Sequence, residues 1–372
     1  MQNKLRLGVI GACGIGGRHA VALAGEMPGI EIGLVADSCE CALESTLAPP
    51  TYRQALRNVE REGGIHPNYV HLQDKRLKEI MEMPLTPLEN VTGKECDAYL
   101  LAVPDELAAR FEKSLASTAT VLTFNASTKM RKDVPLAVPF VSDFDEVMRL
   151  LEAQRKAGPG GGLVALPNCT VLGAAYALHG LSAEIPAERV SIYTNHSIDG
   201  GGNNGARAQN VFDNVKHVRG AREGVRSELK KVLGEELGVV CGCYRVPLLS
   251  AQHTVLSIDT KLDAYSPLPH ERKIAARLNR YGQEKATNLI PQLVVASTDP
   301  DFGSPADVKF CGQIGRRHAR GIKIGEIRWE PDATPSDKAT LSMRLSYNNE
   351  LMCGWAAVET LAALHGRGML LK

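Results

Sequence analysis

The sequence carries no surplus of charge: 43 Lys and Arg stand against 42 Asp and Glu, a formal net charge of +1. No basic stripe stands out, which argues against nucleic acid as the main partner. It also has no run of about 18 apolar residues, so no membrane span is expected. The opening "MQNKLRLGVIGACG" enters a strand without a signal-peptide pattern, so the expected location is the cytoplasm. Nine cysteines, an odd and irregularly spaced set, suit a reducing compartment better than a disulfide framework. The close pairs Cys39/Cys41 and Cys241/Cys243 lack C-x-x-C spacing and a partner His pair, and read as ordinary small thiols. No metal is expected, and no internal repeat is visible.

The 372 residues are enough for two domains with cores of their own. The first segment, "LRLGVIGACGIGGRHAVALAG", is an apolar strand, a glycine turn and a helix. Gly11, Gly14 and Gly17 form G-x-x-G-x-x-G, which lets backbone turn sharply and approach a pyrophosphate at a helix N-terminus. Such turns also serve plain packing; the strand-before, helix-after context points to a dinucleotide. Cys13 and Ile15 in the same loop join the expected cofactor contacts. "IEIGLVAD" reads as the second strand, and Asp37 at its end is either a loop acid or a partner for the adenosine ribose that would repel a 2′-phosphate. The polar stretch from Cys39 to Glu95 carries helical patches and no nameable chemistry, and reads as a lid or a subunit contact.

"DAYLLAVP", "TVLTF" and "PLAVPFV" read as further strands of a parallel, doubly wound, Rossmann-like sheet. After Cys169 the strands lengthen and alternate: "RVSIYTN", "HTVLSIDTKL", "ARGIKIGEIRW", "ATLSMRLSY". Helices are expected near Arg222 to Leu237 and Leu268 to Tyr281. The expected fold is α/β: a dinucleotide-binding domain over 1–167 joined by the C-terminal helix 350–372, and an α+β catalytic and dimerisation domain over 168–349 with a mostly antiparallel sheet.

"LPNCTVLGAAYAL" places Cys169 at a helix start behind Asn168, a residue able to cap it. A thiol there feels the helix dipole, which favours the thiolate. His253, at the start of a strand, is a candidate proton carrier, and Arg245 offers a planar fork for a carboxylate. Taken singly, His253 reads rather as a satisfied strand-end histidine and Arg245 as a surface ion-pair partner.

The chain resembles the aspartate-semialdehyde dehydrogenase family, in the broad sense that includes related acyl-CoA reductases. Four matches in the family's order carry this: the N-terminal glycine motif, "NAS" followed by "DVPLAVP" (Asn125 to Pro139), "PNCT" (Pro167 to Thr170), and "RVP" followed by His253. "SIDGGG" (Ser197 to Gly202) is similar to the family's Ser-Gly-Ala-Gly turn. The resemblance implies that Cys169 forms a thioester, that His253 is the acid/base, and that Arg245 holds the substrate carboxylate. It implies that Asn168 positions the phosphate or carbonyl oxygen. It further implies a phosphate contact from Lys129 or Arg131, and substrate contacts from Glu223 and Arg226 in place of an E-x-x-K pattern. NADP is the implied cofactor, with NAD admitted by Asp37, and a homodimer or dimer of dimers the implied assembly.

The sequence departs from the family in places. His196 stands where the family has a Gln, and reads either as a substrate-orienting group or as a strand histidine without a role. The Arg245-to-His253 spacing is one residue longer. The family's Asn-x-x-Arg/Lys-Gly becomes "NNELMCGWAA", where Asn349 aligns only by a shift and the basic residue is missing. The expected activity is reduction of an acyl phosphate, by default aspartyl phosphate. A reductase of a CoA thioester or other small acyl donor is the alternative. A hydride-independent thiol acyltransferase or hydrolase is opposed by the intact glycine turn, and a non-catalytic homologue by retention of Cys169 and His253.

Overall fold

A computed structural model describes residues 4–38, 50–63, 75–158, 160–197, 216–218, 220–246, 251–261, 267–302, 320–330 and 338–370. They fall into two compact units, one of Met1–Pro167 with Cys353–Lys372, the other of Asn168–Gly201 with Ala208–Met352.

In the first unit a six-stranded sheet has the order β3-β2-β1-β4-β5-β6. The strands are β1 (Leu5–Ile10), β2 (Ile30–Asp37), β3 (Thr86–Pro87), β4 (Ala98–Leu101), β5 (Thr120–Thr123) and β6 (Gly162–Ala165), and they pair in parallel throughout. β4, β5 and β6 are buried at every position, as expected of strands covered on both faces. Helices α1 (Ile15–Glu26), α2 (Tyr52–Gly63), α3 (Lys75–Met81), α4 (Asp105–Leu115), α5 (Ala126–Lys129) and α6 (Phe144–Ala157) connect them. Chain order reverses between β1 and β4, the switch point at which such sheets hold ligands beyond their strand ends.

The strand expected in "PLAVPFV" is absent. Leu136 makes one isolated parallel bridge to Ala165, and the sixth strand is β6 instead. Pro135 and Pro139 have no N–H to give a ladder, so this segment lies beside the sheet edge rather than inside it. Of the Cys39-to-Glu95 stretch, residues 39–49 and 64–74 lie outside the described residues. The rest includes α2, α3, the short edge strand β3 and a single 3-10 turn at Leu88–Asn90.

The second unit holds α7 (Cys169–Leu181), α8 (Ala221–Leu233) and α9 (Glu271–Glu284) against one mixed sheet. Its strands are β7 (Arg189–His196), β8 (Lys216–His217), β9 (Gly238–Arg245), β10 (Gln252–Lys261), β11 (Val294–Ala296), β12 (Ile322–Glu330) and β13 (Lys338–Tyr347), in the order β11-β12-β13-β10-β7-β9-β8. β7 with β9 and β11 with β12 are parallel; the other neighbouring pairs are antiparallel. α8 stops four residues short of the expected Leu237, because Gly234 turns to φ +122°. The last helix, α10 (Asn349–Gly366), starts in this unit and ends in the first.

Candidate active site

In the second unit the Cys169 thiol is placed by the start of α7. Asn168 is extended (φ −64°, ψ 149°), and its Oδ1 accepts the Thr170 N–H at 2.9 Å. That cap fixes Cys169 as the first helical residue, half-buried, with its S–H 3.4 Å from the same Oδ1. The Asn168 N–H donates to the buried Glu228 carboxylate of α8 at 2.6 Å.

The wall facing this turn is one row of side chains across four strands. Tyr347 on β13 pairs with Gln252 on β10, and His196 on β7 pairs with Arg245 on β9. One step along from the His253–Asn195 pair brings Gln252 beside His196. Paired residues share a face, so Tyr347, Gln252, His196 and Arg245 all lie on the α7 side. His196 Nδ1 is 3.9 Å from Cys169 Sγ and its Nε2 is 3.5 Å from Thr170 Oγ1. The Gln252 amide N–H groups donate to Thr170 Oγ1 (3.1 Å) and Tyr347 Oη (2.8 Å), and Tyr347 donates to the Cys169 carbonyl (2.8 Å). Tyr347 comes this close because residue 173 is glycine: a Cβ there would lie 2.5 Å from the ring.

Burial works against a charge on His196. Its hydrogen bonds with Cys169 and Cys243, and the charge on those sulfurs, nonetheless raise it to about 9. Behind it, the buried Cys241 and Cys243 lie with sulfurs 3.6 Å apart, and that contact raises Cys243 and lowers Cys241. The result is a thiol–imidazole pair suited to holding Cys169 as thiolate.

His253 is not part of it. Being one residue past Gln252, it points to the opposite face of the sheet, because side chains alternate along a strand. There Nδ1 meets Ser346 Oγ at 2.8 Å, and Nε2 is buried without a hydrogen-bond partner among the described residues. Burial and the nearby Arg344 charge push it down to about 4. The residue at the shorter spacing from Arg245 that the resemblance implies is Gln252, which does face Cys169's turn. Glu223 and Arg226 are likewise on the exposed side of α8, whereas Glu228 is its buried, site-facing acid. At 100° per residue, positions 223 and 228 differ by about 140° around a helix. Arg245 is half-buried and donates to the Ser197 carbonyl. Asn349 is buried with its Oδ1 3.5 Å from Ser197 Oγ, in the second unit. The remainder of the Ser197–Gly202 turn lies outside the described residues.

The other expected residues belong to the first unit. Gly11 (φ +83°) turns the chain after β1, where a Cβ would lie 2.3 Å from the Ala102 carbonyl; one on Gly17 would lie 2.1 Å from the Gly11 carbonyl. Gly14 precedes α1 with no side-chain cap, which suits a pyrophosphate oxygen at this helix start, beside Cys13 and Ile15. Asp37 ends β2 and turns back onto the loop: Oδ2 accepts the Cys13 N–H at 2.7 Å and Oδ1 the Ser38 N–H at 2.8 Å. Its spare lone pairs suit ribose hydroxyls and its charge opposes a 2′-phosphate. Two residues here carry no local sequence signal. Tyr52, within the 39–95 stretch, donates its buried hydroxyl to the Ala12 carbonyl at 2.7 Å. Glu112 is a buried carboxylate that gathers Thr123, Asn125 and Thr128 and so shapes the "NAS" turn. Lys129 is buried in α5. Arg131 grips Asp133 with both ends of its fork (2.6 and 3.1 Å) along an open cleft of about 450 Å³.

No protein-family profile matches the sequence. Among curated proteins, it is 23% identical over 308 residues to an aspartate-semialdehyde dehydrogenase of Methanothermobacter thermautotrophicus, covering 80% of this chain and 82% of that one. It is 25% identical over 303 residues to the enzyme of that name from Trichophyton rubrum, covering 77% of each. Among solved structures, aspartate-semialdehyde dehydrogenase with NADP from Candida albicans superposes with a TM-score of 0.72 at 20% identity, covering 99% of this chain and all of that one. Aspartate-semialdehyde dehydrogenase II of Vibrio cholerae, complexed with ASA, gives 0.70 at 15% identity, covering 98% and 99%. At these identities the structural likeness is one of fold.

Proposed function

We propose that this chain, related by sequence and by fold to the aspartate-semialdehyde dehydrogenases, is an NADP-dependent aldehyde dehydrogenase of that kind. It interconverts aspartyl phosphate with aspartate semialdehyde and phosphate through a thioester on Cys169. The observation that carries this reading is a half-buried thiol at a capped helix start with an imidazole nitrogen 3.9 Å from its sulfur.

In the reducing direction the Cys169 thiolate attacks the acyl carbon, the C–O bond to phosphate breaks, and a thioester forms. A nicotinamide dinucleotide held at the Gly11–Gly17 turn would supply the hydride that reduces that acyl carbon. An imidazole gives a proton to the thiohemiacetal oxygen and takes it back as the C–S bond breaks, releasing the aldehyde. Arg245 holds the substrate carboxylate through its planar fork, and Asn168 keeps the thiol at the first turn and orients the acyl oxygen. Gly11, Cys13, Gly14, Ile15 and Gly17 would hold the dinucleotide pyrophosphate. NADP follows from kinship, with Asp37 narrowing its margin over NAD.

Reduction of a CoA thioester is the second reading. It is favoured by two phosphate-binding candidates being otherwise disposed: Arg131 is paired with Asp133, and Arg226 is exposed on α8. Assembly as a homodimer is supported by the sheet face of the second unit opposite α7, where Tyr193 and Val255 are about half exposed and no helix lies among the described residues. A cytoplasmic location suits the nine irregularly spaced cysteines; among the described residues no helix is long and apolar enough to cross a membrane.

The test is an aldehyde panel with phosphate, arsenate or CoA as acceptor and NAD or NADP as oxidant. Aspartate semialdehyde with phosphate and NADP is the expected best combination. Turnover only with CoA selects the second reading, and no cofactor reduction with any aldehyde defeats both.

A further inference from the structure

Two strands present a polar side chain to the Cys169 turn at the same level of the sheet: β7 through residue 196 and β10 through residue 252. Their occupants differ in what they can do with a proton. An amide neither accepts nor releases one near neutral pH, whereas an imidazole does both.

We propose that His196 on β7 is the acid/base of this site and that Gln252 on β10 is a positioning residue, so that imidazole and amide stand exchanged relative to the arrangement the resemblance implies. The assignment deepens the thiol mechanism proposed above and rests on Cys169 being its nucleophile.

The hydrogen bonds dictate how the pair works. Tyr347 spends its only proton on the Cys169 carbonyl, so its oxygen can only accept, and Gln252 must turn its NH₂ end toward it. The second amide N–H then falls on Thr170 Oγ1. Gln252 is fully buried, and its Oε1 has no hydrogen-bond partner among the described residues. A side chain that leaves a carbonyl unsatisfied to keep both N–H bonds is held for what those bonds do. They pin the first turn of α7 from two sides, at the Cys169 carbonyl through Tyr347 and at Thr170 directly. Thr170 Oγ1 keeps a second lone pair, and His196 Nε2 faces it at 3.5 Å. With the ring proton on Nε2, Nδ1 is left as the base toward Cys169 Sγ.

The proton account closes on these atoms. The S–H bond of Cys169 breaks and an N–H bond forms at Nδ1, leaving thiolate beside imidazolium. After attack and hydride arrival, that N–H breaks and an O–H forms on the thiohemiacetal oxygen. Among the described residues the groups facing His196 are Cys169 and Thr170 from α7, Cys243 and Arg245 from β9, and Gln252 from β10. His253 faces none of them.

The experiment is the rate of Cys169 alkylation by iodoacetamide at neutral pH, which needs no substrate. His196→Gln should slow it by about tenfold or more, and His253→Gln should leave it within about twofold. The double variant His196→Gln with Gln252→His, which moves the imidazole to the other strand, should recover at least about threefold over His196→Gln alone. His253→Gln slowing alkylation as much as His196→Gln, or a double variant no faster than the single, overturns the proposal. Should the variants not fold, NMR titration of the wild-type histidine rings decides. The ring whose titration moves when Cys169 is alkylated is expected to be His196, and a response from His253 alone overturns the assignment. Alkylation rates as expected with no aldehyde oxidation would defeat the dehydrogenase reading and leave the exchange standing.

Discussion

The Asn168 N–H donates to the Glu228 carboxylate at 2.6 Å, tying the start of α7 to α8 by a buried, charge-assisted bond. Glu228→Ala should cost about 1.5–3 kcal/mol of stability, since bonds to charged groups are worth that much and the N–H is left unpaired. Asn168→Ala removes the α7 cap and should cost about 0.5–2 kcal/mol. Chemical unfolding reads both; a Glu228→Ala variant as stable as wild type would show that the bond adds nothing.

Cys169 should be the thiol that an alkylating agent marks first. Among the described cysteines Cys13, Cys96, Cys241 and Cys243 are buried, Cys169 and Cys353 are half-buried, and Cys169 has the His196 imidazole beside it. Burial pushes Cys96 up to about 12, which makes it a poor nucleophile at neutral pH. Peptide mapping after brief iodoacetamide treatment should find Cys169 labelled and turnover lost in step with it. Cys169→Ser should lose essentially all turnover; a Ser variant with wild-type kcat would end the thioester mechanism.

The cofactor preference should respond to Asp37. Two like charges about 4 Å apart cost of order 1–4 kcal/mol at effective dielectrics between bulk water and a protein surface. Asp37→Ser should therefore raise kcat/KM for NADP relative to NAD by about tenfold or more. It also removes the acceptor of the Cys13 N–H, so both cofactors should bind somewhat less tightly. An unchanged NADP-to-NAD ratio would mean that the carboxylate serves the loop alone.

His253 should show itself in acid, not in catalysis. Its native value near 4 lies below the ordinary histidine range, because burial and Arg344 oppose its charge. The unfolded chain thus binds this proton first as pH falls, and native stability drops between about pH 6.5 and 4. His253→Asn should flatten the fall of Tm across that window. A slope equal to wild type would assign the acid sensitivity to other groups.

Local sequence already determined a good deal. Gly11 and Gly17 are legible because the contacts that exclude a Cβ lie within a strand–turn–helix unit and its neighbouring strand end, a unit the spacing announces. Cys169 is legible because capping acts between neighbours, Asn168 on Thr170. Asp37 is legible as the last residue of an apolar strand. Which side chain stands beside Cys169 was decided by tertiary structure. Which face of a strand meets α7 depends on ladder register, and a step of one residue sends His253 to one side and Gln252 to the other. Glu223 and Glu228 are both acids on one helix, and only packing against Asn168 selects the second. Tyr52 and Glu112 act on segments far along the chain, through contacts that no local pattern encodes. Properties set by neighbours along the chain can be read from their order, whereas those set by which surfaces meet appear only once the strands are laid side by side.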